Sequence, residues 1–148
     1  MKRMMISTAL AAGLTASAAM AEMIRVESSH NVDTTIDRLA AAVEGAGAKV
    51  FARIDHAAGA ASVDQELAPA TLLIFGNPKL GTPAMQSGIT MGLDLPLRVL
   101  AFEEDGKTWM VYHHPMGVGA SHGLDPDHPI IAKMTGALGK LTAKAAGE

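Results

Sequence analysis

From Met23 to Ser28 apolar and polar residues alternate, the period of two that a strand imposes because successive side chains point to opposite faces. A first short strand is predicted there. Asp33 and Thr34 then offer capping oxygens to a helix whose Ile36, Leu39, Ala40 and Val43 fall on one stripe at helical spacing. Gly45 and Gly47 end that helix, since glycine accepts the left-handed conformation of a helix exit. Ala48 to Asp55 reads as a second strand, and alanine-rich Ala57 to Leu67 as a short, weak helix before Pro69. Ala70 to Phe75 is continuously apolar, the pattern of a central strand covered on both faces. Gly76-Asn77-Pro78 is expected to turn the chain, and Thr82-Pro83 to cap and open a helix running through Met85 and Gln86 to Gly88.

Two apolar runs between Leu97 and His114 are joined by Asp105-Gly106, the dipeptide that tolerates the positive φ angles of a tight hairpin. With those two residues as the loop, Glu104 faces Lys107, Phe102 faces Trp109, Leu100 faces Val111 and Arg98 faces His113. Leu100, Phe102, Trp109 and Val111 then share one face as a cross-strand cluster. The opposite face, with Leu97, Val99, Ala101, Met110 and Tyr112, is also mostly apolar, so helices or a second subunit are expected to cover both. Gly117 to Gly123 is a loop or short helix. Pro129 opens a terminal helix with Ile130, Met134, Leu138 and Leu141 on its apolar stripe and Lys133, Lys140 and Lys144 toward its carbonyl end. The predicted order is β-α-β-α-β-α-β-β-α, one α+β domain.

The amino terminus stands apart from this pattern. Lys2 and Arg3 precede an uncharged stretch from Met4 to Met20 that closes on the small-residue frame Ala19-Met20-Ala21, as in a secretory signal peptide. Ser7, Thr8, Gly13, Thr15 and Ser17 dilute the run too much for a retained membrane anchor. The expected division is a signal peptide over 1–21, cleaved after Ala21, and a single exported domain over 22–148 that ends in the terminal helix and has no membrane span. In a Gram-negative cell the destination is the periplasm. Lys and Arg number 12 against 15 Asp and Glu, for a formal charge of -3. Such a chain lacks the positive field that attracts nucleic acid. The absence of cysteine excludes disulfides, thiolate nucleophiles and cysteine-held metals.

Several blocks together carry a resemblance: Gly76-Asn77-Pro78-Lys79 followed by Leu80, Thr82-Pro83-Ala84-Met85-Gln86, Leu93-Asp94-Leu95-Pro96-Leu97, and Val111-Tyr112-His113-His114-Pro115. With the upstream Ile36-x-x-Leu39 stripe and the Lys49 to Asp55 strand, residues 26 to 125 resemble the DUF302 domain family. The resemblance implies a two-layer α+β sandwich with a mixed sheet and a homodimer, and it implies no established reaction.

Two chemistries compete for the polar residues. Asn77, Lys79, Arg98 and His113 are expected to gather at one rim of the sheet, where a guanidinium and an ammonium could hold a carboxylate or phosphate. The alternative is a copper-type metal site from His113, His114, Met116 and His122, or an enzyme using that histidine region. Neighbouring residues on a strand face opposite ways, which opposes His113 and His114 sharing an ion. Gly117 to Gly123 only superficially echoes a dinucleotide loop, and nothing orients Ser121-His122 as a nucleophile and base. The leading expectation is a noncatalytic module without cofactor that binds a small ligand or a protein partner.

Overall fold

A computed structural model describes residues 22–147. The expected signal segment over 1–21 lies outside the described residues. The elements run β1 (Met23–Ser28), α1 (Val32–Gly45), β2 (Lys49–Asp55), α2 (His56–Ala61), β3 (Ala70–Gly76), α3 (Pro78–Ser87), a 3-10 helix (Ile89–Leu93), β4 (Leu97–Glu104), β5 (Lys107–His113), α4 (Pro115–Ser121) and α5 (Pro129–Ala146). The strands form one sheet in the order β1-β5-β4-β3-β2. Every neighbouring pair is antiparallel. The α+β sandwich is therefore present, with an antiparallel sheet in place of a mixed one. The reason is connectivity: β4 and β5 meet through a hairpin, and β1 crosses to the far edge to pair with β5 against its direction.

The hairpin closes in the expected register, with Glu104 opposite Lys107, Phe102 opposite Trp109 and Leu100 opposite Val111. Asp105 and Gly106 take φ of 53° and 72°, the left-handed pair that a two-residue loop requires. Strand alternation then sorts the sheet into two faces. Leu73, Phe75, Val99, Ala101, Met110 and Tyr112 point to the helix layer, where Ile36, Leu39 and Val43 of α1 and Leu138, Ala145 and Ala146 of α5 complete one core. Each fully buried aliphatic there contributes about 1.5–3 kcal/mol. On the other face Leu72, Ile74, Leu100, Phe102, Trp109 and Val111 stay only half-buried. Strand β3 is thus covered on one face rather than two. An uninterrupted apolar run does not distinguish full cover from a face left for neighbouring side chains to shade.

Three helix starts differ in detail from the expectation, and side-chain oxygens decide each. Asn31, rather than Asp33 or Thr34, caps α1 by accepting from the Thr34 amide at 2.8 Å. Asp55 caps α2 through the Ala58 amide, so that helix begins one residue early and ends by Ala61. Asn77 accepts from the Lys79 amide at 2.9 Å, so α3 opens at Pro78 and places Pro83 inside it. The far end of α5 is held by the loop after β1 and by α1. Ser29 donates to the Ala146 carbonyl through both its amide and its hydroxyl, and Arg38 donates to the Ala145 and Lys144 carbonyls. Those carbonyls would otherwise lack partners at a helix end.

Candidate functional site

A second, smaller apolar cluster lies at the other end of α5. Ile130, Ile131 and Met134 meet Ala84 of α3, Met91 of the 3-10 helix and Leu124. This cluster does not close. Between α3, the 3-10 helix and the ends of β2, β3 and β4 it leaves a cleft of about 310 Å3, at the lower end of the range for small-ligand pockets.

Local sequence features hold the cleft open. The register of β2 against β3 slips between Val50 and Ala52, a bulge that takes Phe51 out of the alternation and leaves it 52% exposed on the cleft wall. Gly81 of α3 also lines the cleft, and a Cβ there would meet only Leu95 Cδ1, at 3.8 Å. Helical glycine costs about 1 kcal/mol against alanine. Here it leaves volume free where a side chain would fill it. Met85, Leu95, Pro96, Leu97 and Met134 also line it. Asn77 and Thr82 are the polar side chains on the lining, which holds no charged residue.

An adjoining cavity of about 40 Å3 shares Leu95, Leu97 and Met134 with the cleft. Its polar lining is Asp94, Arg98 and His113. Asp94 follows the 3-10 helix and is held from two sides: the Arg98 guanidinium donates to Oδ1 at 2.8 Å, and His122 Nε2 lies 2.6 Å from Oδ2. His122 Nδ1 in turn lies 3.0 Å from the Thr90 hydroxyl. The His122 ring is 9% exposed, so these contacts pin the 3-10 helix to the end of α4. Ile89 and Leu93 remain on the outside of that short helix, 78% and 79% exposed.

The residues expected at one rim thus divide between two adjoining spaces. Arg98 and His113 line the small cavity together. Asn77 lines the cleft, but its side chain is already engaged: the oxygen caps α3, and the amide donates to the Gly47 carbonyl at 3.1 Å. Lys79 lies on neither lining and is exposed. Of the set expected for a metal, His114 and His122 are engaged within the chain and Met116 is exposed. His114 Nδ1 accepts from the Met116 amide as the cap of α4, both ring nitrogens of His122 are occupied, and Met116 is 46% exposed. Among the described residues no three His, Cys, Asp or Glu side chains are grouped so as to hold a metal. Asp94, Phe51, Met85 and Met134 carry much of the site's character and were not singled out for it from sequence. The Leu93-Asp94-Leu95-Pro96-Leu97 block was the available signal.

With this geometry in place, comparison with known proteins gives three findings. The family model described as "Domain of unknown function DUF302" matches residues 24–141. A solved structure from Bacillus stearothermophilus, titled as an uncharacterized conserved protein DUF302, superposes with a TM-score of 0.76 at 19% identity, covering 83% of this chain and 97% of that one. Among curated proteins, "Fluoride-specific ion channel FluC 1" of Brucella suis biovar 1 (strain 1330) is 45% identical over 129 residues, which is 85% of this chain and 50% of that protein. "Fluoride-specific ion channel FluC 2" of Brucella melitensis biotype 1 is 45% identical over the same length, 47% of its own. The chain spans about half the length of these curated relatives.

Proposed function

The chain belongs to the DUF302 family, and from that premise we propose that it is a noncatalytic module that binds a small, mainly apolar molecule in the cleft between α3, the 3-10 helix and α5. The observation that carries this reading is the cleft itself: about 310 Å3 of space with an apolar, uncharged lining in a chain of this size. A concave, mainly apolar lining with a few polar groups is the usual form of a small-ligand site. Binding is favoured over catalysis because the residues on the cleft bring no titratable group to a ligand, and His122 spends both ring nitrogens on Asp94 and Thr90.

The name of the Brucella relatives describes proteins about twice as long as the segment shared with this chain. No helix among the described residues is long and apolar enough to cross a membrane. The cleft also lacks the cationic side chains that would favour a small anion. The reading is therefore of a ligand-binding unit, and it rests on the cleft and not on that name. The export expected from Lys2 to Ala21 extends it to a periplasmic domain. Amino-terminal sequencing of the native protein checks that extension, with Glu22 expected as the first residue.

A compatible second reading concerns the open sheet face. Leu100, Phe102, Trp109 and Val111 form its apolar centre, and its charges are already paired within the chain, Arg25 with Glu104 and Lys107 with Glu27. The Arg25 guanidinium lies 4.4 Å from the Trp109 ring centre and so covers part of that centre. A face neutralised from within fits an identical face, because the partner need bring no countercharge. We take a homodimer through this face as the partner reading.

Calorimetric titration with octanol tests the ligand proposal. One saturable event is expected with the native protein, weakened at least tenfold in Gly81→Leu, whose side chain would enter the cleft. Thermal melting of the variant shows that it is folded. Absence of saturable binding, or equal binding by a folded Gly81→Leu protein, contradicts the proposal.

A further inference from the structure

The cleft and the small cavity beside it differ in chemistry but share a wall. Leu95, Leu97 and Met134 line both. Of these, methionine is the most adaptable partition, being unbranched with three rotatable bonds, so a modest rotamer change can join the two spaces. On the far side stand Arg98 and His113. The small cavity, about 40 Å3, exceeds what one water needs and suits a compact polar group better than a second apolar body.

Resting on the cleft reading, we infer that the ligand is an amphiphilic carboxylic acid, with its apolar body in the cleft and its carboxylate against Arg98 and His113. The geometry favours an acid over an amine. Asp94 is the one carboxylate on this lining, and it already holds Arg98 on Oδ1 and His122 on Oδ2, so an ammonium group would have to share it with both. The same contact orients the guanidinium: one N–H is spent on Asp94 at 2.8 Å, and the remaining donors are available for a planar, two-oxygen acceptor. His113 is exposed and has no hydrogen-bond partner among the side-chain bonds of the described residues, which leaves its ring free to donate to the second oxygen. Lys79 plays no part, since it lies outside both linings.

Octanoate and octanol separate the head group from the body, because they share a chain length and differ in charge at neutral pH. Octanoate is expected to bind the native protein at least tenfold more tightly than octanol. The ratio of the two affinities should collapse toward unity in Arg98→Gln, which keeps a donor for Asp94 while removing the cationic fork, and should fall by a smaller factor in His113→Asn. If octanol binds the native protein as tightly as octanoate, or if Arg98→Gln keeps the full preference, the acid assignment is overturned while the cleft reading stands. If octanol shows no saturable binding, the cleft reading itself fails and this assignment falls with it.

Discussion

The two halves of α5 belong to one continuous helix and meet very different surroundings. Toward its carboxyl end, Leu138, Ala145 and Ala146 fit against α1 and the sheet in a core whose side chains are almost wholly excluded from water. Toward its amino end, Met134 is just as buried but lines two spaces that side chains leave unfilled. Side-chain burial alone therefore does not separate structural packing from a binding site. What separates them is whether the facing element brings bulk, as Ile36 and Leu39 do, or withholds it, as Gly81 does.

That contrast can be broken first by stability. Leu39→Ala, in the closed core, is expected to cost about 2–5 kcal/mol in urea unfolding, toward the upper part of that range because rigid neighbours surround it. Met134→Ala removes a residue of similar size whose neighbours already border open space, and about 2 kcal/mol is expected, near the lower limit for such truncations. Equal losses would mean that the two ends are packed alike. Gly81→Ala should move stability the other way, raising it by up to about 1 kcal/mol while weakening octanol binding, since the added methyl fits at ordinary contact distance but occupies cleft volume. A glycine kept only for packing would give no such opposition between stability and binding.

The two faces of the sheet sharpen the same comparison. If a second copy covers the open face, Trp109→Ser should weaken self-association at least tenfold in sedimentation equilibrium and leave the helix-side core intact. A native protein that is monomeric throughout the micromolar range contradicts that reading. The smallest expected effect belongs to Tyr112 on the closed face. Burial pushes its phenol above the ordinary 10.0, with a hydrogen bond to Thr142 opposing the shift. A raised folded-state value means that the native protein holds the proton more tightly than the unfolded chain. Its contribution is thus fully present below about pH 10 and is lost as pH climbs through the raised value. Alkaline unfolding should show this decline, and Tyr112→Phe should flatten it.

Much of this architecture was legible in the sequence because it follows local rules. Asp105-Gly106 set the hairpin register, and the Ile36, Leu39 and Val43 stripe named the buried side of α1. Asn77-Pro78 was read as a turn, since the same side-chain oxygen that closes a turn also caps a helix, and only the following residues choose between them. The mixed sheet implied by resemblance gave way to strand directions that depend on where β1 crosses, a choice no local pattern encodes. The site was harder still to foresee. Arg98 and His113 stand near the open end of the hairpin and both line the small cavity, whereas Asp94 and His122 stand 28 positions apart and meet through packing. The cleft is a volume that side chains fail to fill, and hydrophobic periodicity reports where apolar residues point, not whether they meet.

Methyl NMR of the methionines during an octanol titration tests the central claim most directly, because these residues sample both ends of the molecule. Met85 and Met134 line the cleft, while Met110 is fully buried in the closed core and Met23 is exposed on β1. Saturable shifts at Met85 and Met134, with Met110 and Met23 unmoved, are the predicted result. Shifts spread evenly over all four methyls, or none at Met85 and Met134, would show that the open end of α5 is loose packing and not a binding site.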